Sequence, residues 1–310
     1  MDLQKRRERP SNNALCLAAI QIARATGSDL HFSLQCDAAT AYMLPSIIPL
    51  CIVSASRWKC LELTVQNPVM LNDFKMVAPM LDCLESLHIR IHDGRLPLPG
   101  AHISSIFKDA CHLTEVVGSS YDLARIILPW INIEKVILTQ GAGESGRDRL
   151  DHESMVAWTS CLREMWQQIK SSPVRLLILR DGSLRRLLQD TSHQDNVLRF
   201  LQILVVGNHG VGPLLGHVVA PGLGALYIRD WHSGEMAILT RFIRRSATPS
   251  HPLHLSLKLQ GLGLLRRGMM LNPTKRSLES IGTVLSQTQS QYGYPAVMQY
   301  IIECDSAANA

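Results

Sequence analysis

One spacing recurs along this chain: apolar-x-x-apolar-x-apolar, closed by a polar residue or a Gly/Asp break. It appears as Leu84-x-x-Leu87-x-Ile89, Leu113-x-x-Val116, Ile133-x-x-Val136-x-Leu138 and Val174-x-x-Leu177-x-Leu179. It continues as Leu201-x-x-Leu204-x-Val206, Leu223-x-x-Leu226-x-Ile228 and Leu278-x-x-Ile281. Shorter forms are Leu30-x-Phe32-x-Leu34, Leu61-x-Leu63-x-Val65 and Leu253-x-Leu255-x-Leu257. Taken at residues 30, 61, 87, 116, 136, 177, 204, 226, 255 and 281, the pattern returns about every 28 residues, at the top of the range of leucine-rich repeats. The widest step, from Val136 to Leu177, holds a polar loop and an extra helix, and reads as an insertion.

Alternating apolar residues place their side chains on one face of a short strand. Between the strands lie segments with helical spacing: Leu71, Phe74, Val77 and Leu81; Ile103, Ile106 and Phe107; Met155, Trp158, Leu162, Trp166 and Ile169; Met236, Leu239, Phe242 and Ile243. The expected fold is therefore α/β. It is an irregular leucine-rich-repeat solenoid of about ten repeats, with parallel strands on one side and helices on the other. Three buried aliphatics per strand contribute roughly 5–8 kcal/mol gross. Ordering the backbone of such a unit costs more, at about 1–2 kcal/mol per residue. No unit stands alone, and neighbours must bury each other's faces. The expected organisation is a flexible basic tail over 1–13, the solenoid over 14–290 with a loop insertion at about 141–153, and a C-terminal tail over 291–310. Regular repeats carry an Asn three residues after the third apolar position. Here His92 and His209 stand in that place, so the turns must satisfy their backbone groups otherwise.

With 46% hydrophobic and 18% charged residues, the 310-residue chain is not intrinsically disordered. A net charge of +5, spread along the chain, is short of the concentrated basic face of a nucleic-acid binder. The longest apolar run, Tyr42 to Ala55, has two prolines and is too short to span a bilayer, so no membrane partner is expected. None of the eight cysteines forms a C-x-x-C or a zinc-type spacing. Reduced thiols and a cytoplasmic or nuclear location are expected. The cluster Lys5, Arg6, Arg7 and Arg9 reads as a solvated tail, with a nuclear address as the alternative.

Two glycine turns imitate nucleotide sites. Gly141-Ala142-Gly143-Glu144-Ser145-Gly146 follows a strand, but the polar run Arg147 to Glu153 after it reads as a solvated loop. The acid near Asp181 also lies too far on. Gly207 to Leu214 has a P-loop outline, yet Pro213 and Leu214 stand where Lys and Ser/Thr are needed. It reads as a strand-to-helix turn with Pro at the first helical position. His88/His92 and His251/His254 lack ligand-spaced partners and read as surface, with His251-x-x-His254 in a turn. The doublets Arg185-Arg186, Arg244-Arg245 and Arg266-Arg267 read as helix surface. No catalytic, cofactor or metal residue is expected. The residues between core positions face outward: Glu62, Thr64, His88, Arg90, Glu115, Lys135, Ile178, Arg180, Val205, Tyr227, Arg229, His254, Ser256 and Lys258. The candidate partner-binding set is His88, Arg90, Lys135, Arg180, Tyr227, Arg229, Trp231 and His254. Tyr227, Arg229 and nearby Trp231 form its expected hot spot, since hot spots favour Tyr, Arg and Trp.

Several pieces, in order, resemble the repeat region of fungal (mushroom-type) F-box proteins over roughly residues 15–285. They are Ser56-Arg57-Trp58 before Leu61-Glu62-Leu63; Leu84-Glu85-Ser86-Leu87-His88-Ile89; Phe107-Lys108-Asp109-Ala110; and Leu128-Pro129-Trp130 before Ile133. Further pieces are Ser172-Pro173, Ala220-Pro221-x-Leu223, and Phe242-Ile243-x-Arg245-Ser246 before Leu253. The F-box itself is absent: Leu44-Pro45-Ser46-Ile47-Ile48 has its Leu-Pro start without the acid. The resemblance implies a non-enzymatic protein-interaction scaffold, similar to the substrate-recognition region of a cullin–RING ubiquitin ligase adaptor. An unknown protein target would sit on the strand face. The ligase linker protein would be a partner only through a disguised F-box. The alternative is a nucleotide-binding α/β enzyme using the Gly141–Gly146 loop.

Overall fold

The computed structural model describes residues 12–36, 44–92, 104–139, 152–180, 196–207, 211–231, 236–246 and 254–259. The strands are β1 (Leu30–Cys36), β2 (Trp58–Val65), β3 (Ser86–Ile91), β4 (Glu115–Ser119), β5 (Lys135–Thr139), β6 (Leu176–Leu179), β7 (Asn196–Val197), β8 (Ile203–Val206), β9 (Val218–Val219), β10 (Ala225–Trp231) and β11 (His254–Leu259). Nine of them form one sheet in the order β1-β2-β3-β4-β5-β6-β8-β10-β11. Every pairing in it is parallel. Each strand thus lies beside its predecessor in the chain, with only the short β7–β9 pair outside the series.

The recurrent apolar positions meet in one register. Phe32, Leu61, Leu87, Val116, Val136, Leu177, Leu204, Leu226 and Leu255 are successive Cα partners across all nine strands. The row begins at Phe32 rather than Leu30, because the register shifts between Leu30 and His31. From Leu61 to Leu226 every member is buried. A second row, Gly118, Leu138, Leu179, Val206, Ile228 and Leu257, runs beside it. The alternate residues of the same strands are half-buried or exposed, except Trp58 and Ser119, which are buried. Sheets covered by helices on both faces have strands buried on both sides. Among the described residues one face carries the core and the other is left open.

The missing turn Asn is replaced by backbone. His92 N–H donates to Val65 O, Arg180 N–H to Leu138 O and Gly207 N–H to Leu179 O, each at 2.8 Å, so the ladder runs one residue past the strand. At the opposite strand end, single carbonyls each receive two N–H groups from the next strand. Thr114 and Glu115 donate to Glu85 O, Glu134 and Lys135 to Thr114 O, Arg175 and Leu176 to Glu134 O, and Gln202 and Ile203 to Arg175 O. The first apolar residue of several units closes a tight turn just before its strand: Leu84 onto Leu81, Leu113 onto Ala110, Ile133 onto Trp130 and Leu223 onto Ala220.

The return segments depart from expectation in places. The helices are α1 (Asn12–Arg24), α2 (Leu44–Ser54), α3 (Ser120–Leu123), α4 (His152–Ser171), α5 (Val211–His217) and α6 (Met236–Ser246). The Leu71–Leu81 segment is 3-10 helix, over Pro68–Met76 and Ala78–Met80. Pro79 has no N–H for an α-helical bond. Residues 105–112 form turns instead of a helix, because each N–H reaches only three residues back: Lys108 to Ser105, Ala110 to Phe107 and Leu113 to Ala110. Helix α4 starts at His152, two residues inside the segment expected as loop. Helix α5 starts at Val211, so Pro213 lies third in its first turn, where N–H groups have no intrahelical partner. His254 opens strand β11 rather than lying in a turn. The Gly141–Gly146 loop and both expected tail cores, 1–11 and 291–310, lie outside the described residues, as does Leu278-x-x-Ile281. Among the described residues no helix is long and apolar enough to cross a membrane.

Candidate docking face on the open side of the sheet

Parallel register carries the outward residues into three rows across the strands. The first row holds His31, Cys60, Ser86, Glu115, Lys135, Leu176, Ile203, Ala225 and His254. The middle row holds Ser33, Glu62, His88, Val117, Ile137, Ile178, Val205, Tyr227 and Ser256. The third holds Gln35, Thr64 and Arg90 at one end and Thr139 at its centre, while Ser119, the partner of Thr139, is buried as the cap of α3. Arg180 continues it next to Thr139, since its N–H donates to Leu138 O.

The middle row changes character along the sheet. Over β1–β3 it is polar: Glu62 Oε1 lies 3.3 Å from His31 Nε2 and 3.4 Å from His88 Nδ1. From β4 onward it is apolar, with Val117, Ile137, Ile178 and Val205 half-buried. It reaches Tyr227, which is 38% exposed, and Ile203 beside it in the first row is 36% exposed. Lys135 Nζ meets Glu115 Oε1 at 2.8 Å in the first row. Arg90 and Arg180 are exposed. Among the described residues neither of them makes an ion pair, whereas both acids of the face, Glu62 and Glu115, are engaged.

Of the candidate residues, His88, Arg90, Lys135, Arg180 and Tyr227 share this face. His88 and Lys135 are tied to neighbouring carboxylates, whereas Arg90 and Arg180 are exposed and Tyr227 is 38% exposed. Arg229 and Trp231 belong to β10 and His254 to β11, but their side chains lie outside the described residues. The register also shifts between Ile228 and Trp231, and Trp231 pairs with Leu259. Sequence reasoning missed Val117, Ile137, Leu176 and Ile203. The signal was masked: Glu115-Val116-Val117 and Val136-Ile137-Leu138 are apolar on both parities, and only register separates the two faces.

Two arginines serve the fold instead. Arg57 donates to Ala25 O and Ile22 O at the C-terminus of α1. Arg245 was expected on a helix surface. It is half-buried, and its Nη2 donates to Leu215 O at 2.8 Å and Gly216 O at 2.9 Å, at the C-terminus of α5. Carbonyls there are unpaired within the helix and carry partial negative charge, which suits a guanidinium.

The described cysteines, seven in number, are free thiols. Burial pushes Cys51 up to about 12 and also raises Cys60 and Cys161, so these three stay protonated near neutrality. Among the described residues no group of three His, Cys, Asp or Glu side chains is placed to hold a metal ion. Behind the sheet, a cavity of about 160 Å³ lies between residues 123–130 and α4, lined by Ile126, Trp130, Cys161, Glu164 and Met165 among others. Comparison with protein-family models, with curated proteins and with solved structures finds no match to this chain.

Proposed function

We propose that this chain is a non-enzymatic protein-interaction scaffold. In this reading it is an irregular leucine-rich-repeat solenoid, similar to the substrate-recognition region of an F-box adaptor of a cullin–RING ubiquitin ligase. A protein target occupies the open strand face, and the setting is the cytoplasm or nucleus, where free thiols persist. The observation that carries the reading is the outward apolar row from Val117 to Tyr227. Its aliphatics are held at strand spacing on a face that the described residues leave open. Apolar contacts rimmed by polar groups are the ordinary anatomy of a protein interface.

The test is affinity capture with mass spectrometry from the native cell, comparing three baits of matched thermal stability. The native chain and a Met76→Asp control retain the same protein, since Met76 is 67% exposed and lies in the 3-10 segment after β2, away from the face. Val205→Asp, within the apolar row, loses it. Equal recovery by all three baits overturns the reading. Co-purification of the ligase linker protein at micromolar concentration decides separately whether the chain joins a ligase.

A further inference from the structure

Resting on that reading, we infer that the target presents an amphipathic helix with acidic residues along one flank, laid across β4–β10 with its apolar stripe on the row from Val117 to Tyr227.

Charge fixes the sign of the flank. Beside the apolar row Glu115 bonds Lys135, while Glu62, between His31 and His88, lies on β2, outside the β4–β10 stretch. The unpaired charge flanking that stretch among the described residues is positive. Arg90 and Arg180 both stand in the third row, exposed. The other exposed or half-buried members of that row named above, Gln35, Thr64 and Thr139, carry no charge. Arg229 follows Tyr227 by two residues in β10. Arginine at the rim of an apolar strip recognises carboxylates through charge-assisted hydrogen bonds. A basic flank would meet like charge at Arg90 and Arg180, which selects against it.

Spacing selects the helix. The apolar row crosses five strands, so it is about 19 Å long at about 4.8 Å per strand. A helix rises about 5.4 Å per turn, so one apolar side chain per turn meets nearly one strand each, and about 13 residues cover the row. An extended chain offers same-side residues only every 6.6–6.8 Å or so, and drifts out of step within two strands. Arg90 and Arg180 lie three strands apart, roughly 14 Å, within reach of acids on two successive portions of one helix flank.

The test selects random 20-residue peptides displayed on phage against the full-length chain, then measures binding of the enriched peptides by fluorescence anisotropy. The expected winners carry aliphatic or aromatic residues at i, i+3 or i+4 and i+7, with Asp or Glu along one flank. Their affinity falls about tenfold or more with Arg90→Glu/Arg180→Glu, and falls as salt rises. Both arginines are exposed, so this variant keeps its fold; Ile178→Asp and the milder Tyr227→Ser abolish or weaken binding at unchanged melting temperature. Winners that need Ile178 and Tyr227 yet ignore the arginine reversal, or that are basic or proline-broken, overturn the acidic helix while leaving the docking face intact. Winners indifferent to Ile178→Asp and Tyr227→Ser overturn the face, and with it the reading above. A selection with no enrichment over an empty surface overturns the inference alone.

Discussion

Gly118 stands in a core row whose other described members carry Leu, Ile or Val. A Cβ there would lie 3.0 Å from Leu123 Cδ2 and 3.1 Å from Ile89 O. The Leu123 side chain, folded back from α3, takes the volume the missing side chain leaves. Gly118→Ala therefore forces the β3 backbone or Leu123 aside. We expect a loss of about 1–3 kcal/mol, the usual cost of overpacking. It is read as a lower urea midpoint at unchanged slope, and an unchanged midpoint means the space exists. One turn on, Asp122 is 3% exposed and closes a capping box with Ser119, accepting from Ser119 N–H at 3.3 Å while its own N–H donates to Ser119 Oγ at 3.0 Å. Burial is the largest influence on its carboxyl and pushes it from 3.8 up to about 6, against the hydrogen bonds of the cap and the Arg125 charge. The folded state thus holds a proton that the unfolded chain has released. The resulting stabilisation is complete below about pH 3.8, declines as pH rises, and is gone above about pH 6. Its size is on the order of 3 kcal/mol. Urea unfolding of the native chain and Asp122→Asn across this window should converge toward one difference above pH 6 and diverge below it in favour of the native chain. A difference that is flat in pH refutes the assignment.

Within an element, adjacent residues have opposite fates. Leu177 is fully buried between Val136 and Leu204, whereas Ile178, next to it, belongs to the open face. Leu177→Ala should cost about 2–5 kcal/mol. Ile178→Thr keeps a β-branched residue and should change stability by less than about 1 kcal/mol. Similar losses at both positions, measured by urea denaturation, would mean that the second face is covered too. This contrast explains what was legible in the sequence. The buried positions of β2, β3, β6, β8 and β10 could be read directly, because a fixed Leu spacing repeats there and a turn residue follows. Val117 and Ile137 could not, because their strands are apolar on both parities and only pairing assigns them a face. The 3-10 segment at Pro68–Met80 and the turns at 105–112 kept helical apolar spacing without α-helical hydrogen bonds, since spacing reports which side is buried but not which carbonyl an N–H reaches. Arg245 looked like surface charge, because nothing local in the sequence points to the α5 carbonyls about 30 residues earlier in the chain.

Across the molecule, order in the main sheet follows order in the chain, so among the described residues each of its strands pairs with its neighbours in the series β1-β2-β3-β4-β5-β6-β8-β10-β11, and β7 and β9 pair separately. The Val136-to-Leu177 insertion leaves this order intact, because a longer connection alters the return path and keeps the pairing of β5 with β6 in register. Nearest-neighbour packing has an energetic consequence: a lost contact weakens its own strand and the adjoining ones, and the effect decays along the sheet. Phe32 stacks on Trp58 with ring centroids 4.3 Å apart and 12° between planes, at the β1 end. Phe32→Ala should therefore raise amide hydrogen exchange in β1 and β2 while β6, β8 and β10 keep their protection. Val136→Ala, in β5 between β4 and β6, should loosen strands on both its sides. Exchange followed by mass spectrometry resolves the two patterns peptide by peptide. A uniform loss of protection in both variants would instead require contacts that bypass the sheet order and bind the chain into a single cooperative unit, and the outward rows would then have to be reassigned as partly internal surfaces.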